Sequence, residues 1–168
     1  MEIRICQEND INEVMHFIDK EWKAGHILAK SKKVLDWQYR NQDSTYNIII
    51  ARSEYRLEGI LGFIPNDRYD HLLLNNRIIW LALWKVRKSN KNSVTGLKLL
   101  LYLQSNQTYK AIAINGINQI AKSIYEKMGY RICELKQFYC AKNKDHFNLL
   151  TPSKKNFHPV PNKKGNIW

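Results

Sequence analysis

Residues 78–84 are seven consecutive apolar residues, the longest such run in the chain. A bilayer-spanning helix takes about 20 apolar residues, so the run is no membrane span. With its flanks, residues 77–86, it reads instead as a strand covered on both faces, near the middle of a sheet. That demands a layered fold with elements on either side of the sheet. A chain of 168 residues, 44% hydrophobic and 25% charged, suits one domain with a real core.

The rest of the pattern supplies those layers. Residues 2–6 alternate Ile3 and Ile5 inward as a short strand. Asp10, with Glu13 three residues on, reads as the capping box of a helix carrying Ile11, Val14, Met15 and Ile18. Residues 21–30 lose periodicity around Gly25 and read as a loop, and 31–40 as a second helix. Strands follow at 46–51, 57–64 and 77–86, with turns at Asn66-Asp67 and Asn75-Asn76. Then come a helix at 94–103, a strand at 111–115, a helix at 118–128 ended by Gly129, and a last strand at 130–140. The order predicts an α+β fold with a mixed, twisted sheet flanked by helices and no internal repeat. From residue 143 on, Pro152, Pro159 and Pro161 interrupt a lysine-rich stretch, which predicts a domain over 1–141 and a basic tail or linker over 142–168.

Net charge is +12, from 27 Lys and Arg against 15 Asp and Glu, which favours anionic partners without choosing among them. Cys6, Cys133 and Cys140 form no CxxC pair and the five histidines are scattered, so no metal is expected. The N-terminus lacks the basic-then-apolar build of a secretory signal, and the expected location is the cytoplasm.

Two segments carry chemistry. In the first, residues 86–100, small polar and basic residues join the apolar strand to a helix. Amides at a helix N-terminus are unpaired and favour an anion, and Arg87, Lys88 and Lys91 add charge. A solvated basic turn is the competing reading. The second segment is Asn118-Gln-Ile-Ala121-Lys-Ser-Ile-Tyr125-Glu-Lys-Met-Gly129-Tyr130. By itself it is an amphipathic helix with Tyr125 as a core aromatic.

Together the two segments resemble the GNAT superfamily of N-acetyltransferases. The family's cofactor loop, Arg/Gln-x-x-Gly-x-Gly/Ala, falls on Lys91, Val94 and Gly96, with Leu99-Leu100 in register. Lys91 and Val94 depart from it. The family's later helix, Asn-x-x-Ala-x-x-x-Tyr-Glu-Lys-x-Gly-Phe/Tyr, is reproduced at every fixed place. The resemblance covers about residues 1–140. It implies a mostly antiparallel GNAT-like sheet with a splayed central parallel strand pair, and acetyl-CoA as co-substrate. Carried over, Trp84, Lys85 and Val86 offer backbone groups to pantetheine. The amides of Asn92, Ser93, Val94, Thr95, Gly96 and Leu97 hold the pyrophosphate, beside Lys91 and Asn118. Valine in place of glycine at Val94 is expected to crowd the loop and restrict positive φ. Tyr125 takes the place of the tyrosine beside the cofactor sulfur, where a phenol can protonate a departing thiolate.

No carboxylate lies on strand 77–86, where some relatives carry a general base. Asp67, Asp70, His71 and His26 are the nearest candidates, and each also reads as a turn or surface residue. The stretch from Trp22 through His26 to Trp37 resembles GNAT-like proteins of bacterial surface-polysaccharide pathways. It implies an acceptor wall of Trp22, His26 and Trp37 suited to an amino sugar, including a nucleotide-linked one, with Lys23, Lys30 and Lys32 near its diphosphate. The expected partner is thus a small-molecule amine, not nucleic acid. The competing functions are acetylation of a protein or polyamine, or a GNAT-fold module that binds nucleic acid or protein without turnover.

Overall fold

The computed structural model describes residues 1–87, 89, 94–117 and 119–134. It groups as two units, Met1–Ile124 and Tyr125–Trp168. The first holds a five-stranded sheet in the order β1 (Glu2–Gln7), β2 (Thr45–Arg52), β3 (Leu57–Pro65), β4 (Ile78–Val86), β5 (Ala111–Ile114). Neighbours are antiparallel except β4 and β5, which are parallel. This is the mixed sheet that the element order predicts, mostly antiparallel as the GNAT resemblance implies.

Helices α1 (Ile11–Phe17), α2 (Ile27–Lys30) and α3 (Lys32–Tyr39) precede β2, and α4 (Thr95–Asn106) joins β4 to β5. α5 (Gln119–Lys127) follows β5. Alternation sends Tyr46, Ile48, Ile50 and Ile60 to one face, where they meet Val14, Phe17, Leu35 and Tyr39 from α1 and α3. Ile49, Ala51 and Leu61 take the other face, the α4 side, with buried Leu99, Leu100 and Leu103. Two glycines admit the helices. A Cβ on Gly59 would lie 3.1 Å from Leu99 Cδ1 and 3.2 Å from the Lys85 carbonyl, and one on Gly62 would lie 3.1 Å from the Tyr39 ring.

β2 and β3 are covered on both faces, whereas β4, for all its apolar residues, is not. Ile79, Leu81 and Leu83 are buried while Trp80 and Ala82 are exposed. The register explains part of this. Gly62 opposes Leu83 and Phe63 opposes Leu81, so Ala82 is an extra residue, a β-bulge. Beyond it Trp80 pairs with Ile64 and leaves the sheet on the α1–α3 face.

Several local expectations are corrected. Glu13 does not close a capping box with Asp10. Asp10 instead accepts from the Gln7 amide at 2.8 Å and pairs both oxygens with Arg4, while Glu13 pairs with Arg52. The expected loop over 21–30 contains α2, capped by His26, and α1 widens into a π turn over Ile18–Trp22. Between β3 and β4 the chain makes two 3₁₀ segments, Asn66–Arg68 and His71–Asn76. The strand expected over 130–140 is absent from its described residues 130–134, and the rest of it, like the tail 142–168, lies outside the described residues.

Candidate active site

The ladder between β4 and β5 runs from Ile78↔Ala111 to Leu81↔Ile114 and stops there, at the bulge. β4 continues to Val86 without β5 beside it. The parallel pair, the last two strands in the order of the described sheet, is therefore joined at one end and parted at the other. Trp84, Lys85 and Val86 lie beyond the end of that ladder.

α4 starts at that same end, and Gly96 is the reason it can sit so low. A Cβ on Gly96 would meet Val86 Cγ2 at 3.3 Å and the Trp84 indole at 3.4 Å. The first turn of α4 thus rests on the side chains of Trp84 and Val86, beside the end of β4. Val94 adopts φ −74°, which suits a side chain, so valine at this position crowds nothing that needed positive φ. Its own side chain is 58% exposed, Leu97 is exposed, and Thr95 is buried with its hydroxyl 3.5 Å from Met1 Sδ. Lys91, Asn92, Ser93 and Asn118, named with these residues from the sequence, lie outside the described residues, as does Lys88.

Arg87, expected to greet an anion, is otherwise engaged. Its Nη1 donates to Glu21 Oε1 at 2.7 Å, its Nε to the Leu57 carbonyl at 3.0 Å, and the guanidinium lies over the Phe17 ring at 5.4 Å. The contact ties the end of β4 to the π turn after α1. Trp22 and His26 follow immediately, their ring centroids 4.5 Å apart. His26 Nδ1 accepts from the Leu28 amide at 3.2 Å.

Trp37 does not join this pair. It lies on the side of α3 away from buried Leu35 and Tyr39, 67% exposed, and its carbonyl accepts from Arg68 just past the end of β3. Glu21 and Arg87 stand at the opposite, Leu57 end of that strand. Nine residues of β3 separate the two ends, about 26 Å at ~3.3 Å per step. The acceptor wall expected from the sequence therefore divides into Trp22 with His26 at the α4 end and Trp37 at the far end. Lys32, expected near a diphosphate, is taken up by Asp36 at 2.7 Å and Glu8 at 2.9 Å.

The candidate bases are likewise accounted for. Asp67 pairs with Arg77 at 2.8 Å, and Asp70 caps the following 3₁₀ segment through the Leu72 amide at 2.9 Å. His71 is exposed.

Tyr125 belongs to the second unit and is 1% exposed. Its carbonyl accepts from the Tyr130 amide at 3.0 Å, and the two rings meet edge to face at 5.1 Å. Burial, with a smaller contribution from Tyr130, raises the phenol above its ordinary pKa. The phenol is therefore protonated at neutral pH. By contrast, burial pushes the Cys6 thiol up to about 12, and it is inert.

Among the described residues no group of His, Cys, Asp and Glu could hold a metal, and no helix is long and apolar enough to cross a membrane. No protein-family profile matches the sequence. No curated protein matches it either. Solved structures do match. An aminoglycoside 6'-N-acetyltransferase from Acinetobacter haemolyticus superposes at TM-score 0.61 with 14% identity, over 86% of this chain and 100% of that one. An aminoglycoside N-acetyltransferase crystallised with CoA gives 0.62 and 16%, over 84% and 95%. A ribosomal-protein-alanine N-acetyltransferase from Brucella melitensis gives 0.59 and 11%, over 84% and 100%. With the parted β4–β5 pair and the helix that starts beside it, the chain has the fold of the GNAT acetyltransferases.

Proposed function

We infer that the protein transfers an acetyl group from acetyl-CoA to a primary amine. The observation that carries this reading is the parted β4–β5 pair with the N-terminus of α4 seated on Trp84 and Val86 through Gly96. Acetyl-CoA supplies an acetyl thioester; the amine nitrogen forms the new C–N bond as the C–S bond breaks. The last residues of β4, Trp84, Lys85 and Val86, are assigned the backbone contacts to an extended pantetheine arm, as a strand would make them. The amides of Val94, Thr95, Gly96 and Leu97 suit the pyrophosphate. An N–H near the Trp84 end of β4 polarises the acetyl carbonyl as the oxyanion forms.

Tyr125 is assigned the proton that the departing thiolate takes. The motif at 118–130 supports this. The acceptor we favour is an amino sugar, including the nucleotide-linked amino sugars of surface-glycan synthesis. Trp22 and His26 offer ring faces beside the α4 end of the sheet. With Asp67 and Asp70 committed elsewhere, an amine of lower pKa than a lysine side chain is the easier substrate.

The test is a melting curve with and without acetyl-CoA, followed by thiol release across amine acceptors. A ligand at a hundredfold excess over Kd stabilises by about 2.7 kcal/mol. A folded protein whose Tm ignores millimolar acetyl-CoA excludes the reading.

A further inference from the structure

Lys85 is half-buried near the end of β4, and no carboxylate pairs with it among the described residues. Its partner across the ladder is Ile60, so both side chains leave the sheet on the face covered by α1 and α2. α4 lies against the other face, on Gly59 and Trp84. The Lys85 side chain is thereby separated by the sheet from the helix N-terminus assigned to the pyrophosphate. On its own face, at the same end, are the π turn packed against β4 and the Trp22–His26 ring pair.

Three carboxylates at this end are already engaged, while Glu54 in the β2–β3 turn is exposed. Glu21 holds Arg87, Glu58 holds Arg56 at 3.0 Å, and Asp19 accepts from the Gly25 amide at 2.8 Å. Lys23 and Lys30 are exposed and add positive charge, and neither pairs with a carboxylate among the described residues. Beside Lys85 a phosphate finds ammonium groups, and lysine meets phosphate as a compact point charge.

We propose that Lys85 is a specificity-determining residue that receives a phosphate group on the acceptor, so that phosphorylated amino sugars are taken in preference to neutral or polycationic amines. This rests on the acetyl-transfer reading of the site. The test compares UDP-glucosamine, glucosamine 1-phosphate, glucosamine and spermidine as acceptors for the full chain and for Lys85→Gln and Lys85→Arg. The parent is expected to favour both phosphorylated acceptors over glucosamine at least tenfold in kcat/KM. Lys85→Gln brings that ratio near one by raising acceptor KM, shifts acetyl-CoA Kd far less, and Lys85→Arg keeps the preference. Equal use of glucosamine or spermidine by the parent overturns the proposal. So does a Lys85→Gln variant that loses all acceptors equally or loses acetyl-CoA instead. If no acceptor turns over, calorimetric binding of UDP-glucosamine and glucosamine to the CoA-saturated protein makes the same comparison. A Lys85-dependent preference there upholds the phosphate site while removing the transferase reading, and equal binding removes the phosphate site.

Discussion

The amide of Tyr130 donates to the carbonyl of Tyr125, five residues back, and the two rings close on each other edge to face. Gly129 between them adopts φ +80° and its amide donates to Glu126 at 3.0 Å. These bonds form a Schellman motif with its hydrophobic contact, and they give a physical reason for a Tyr-x-x-x-Gly-Tyr spacing. One part is the glycine. A Cβ on Gly129 would touch nothing within 4 Å, so Gly129→Ala meets only the left-handed backbone penalty, about 1–2 kcal/mol. We expect Tm to fall by a few degrees and kcat to fall with it, because Tyr125 loses its anchor. Unchanged melting and turnover would show that the motif positions nothing.

Glu21 and Arg87 make a second linkage, 66 residues apart in the chain and 2.7 Å apart in space. If Arg87 is structural, Glu21→Gln and Arg87→Ala should raise acetyl-CoA Kd by similar small factors, and the double variant should be no worse than Arg87→Ala. If Arg87 instead meets the cofactor's phosphates, Arg87→Ala alone weakens binding, in a salt-dependent way, and Glu21→Gln does not. Double-mutant calorimetry at two salt concentrations separates the cases.

Gly59 is where α4 comes closest to the sheet. A methyl there would press on Leu99 Cδ1 and on the Lys85 carbonyl, which is backbone of the next strand and cannot swing aside. Gly59→Ala should therefore cost about 1–3 kcal/mol and weaken acetyl-CoA binding by lifting the first turn of α4. A variant as stable as the parent would mean the helix tolerates a looser seat.

The elements were largely legible because their cause is local. An isoleucine-rich run marks β2, Ser31 caps α3 through the Val34 amide, and Gly129 ends α5's turn. What escaped was long-range. Arg87 and Lys32 read as free cations until the fold brings Glu21, Glu8 and Asp36 to them. Trp22 and Trp37 read as neighbours because fifteen positions separate them in sequence, but α3 carries the chain along the sheet to its far end. The four-residue α2 is too short for periodicity to reveal. The bulge at Ala82, which turns Trp80 to the α1–α3 face, leaves no mark in a uniformly apolar strand.

Acid should find one weak point early. Asp10, bonded to both Arg4 guanidinium nitrogens and to the Gln7 amide, has its carboxyl held below the usual range, chiefly by Arg4. A depressed folded pKa contributes stability that is fully present above the unfolded value and is lost as pH falls through the folded one. Stability from this pair should thus be constant from neutral pH to about 5 and decline below about 4. Asp10→Asn should cost about 2 kcal/mol at pH 7 and flatten the decline. Denaturant melts of both proteins at pH 7 and pH 3 check it, and an equal loss at both pH values refutes the assignment.

The last prediction concerns the phenol of Tyr125. Its pKa is raised by burial, so across the range where the protein is folded the ring carries its proton. It is then a donor and never a base. Expulsion of a thiolate needs such a donor, while binding of the thioester does not. Tyr125→Phe keeps the ring, its edge-to-face contact with Tyr130 and the Schellman turn, and removes only the proton. We expect kcat to fall about 10²-fold, with acetyl-CoA Kd and Tm nearly unchanged. The parent's kcat should show no alkaline loss from this group below pH ~10. An acceptor amine that loses its own proton over the same range raises the rate with pH, in the opposite direction, so the two titrations are separable. A Phe variant as fast as the parent in single turnover, where chemistry is observed directly, would leave Tyr125 as a packing residue and move the proton donor elsewhere.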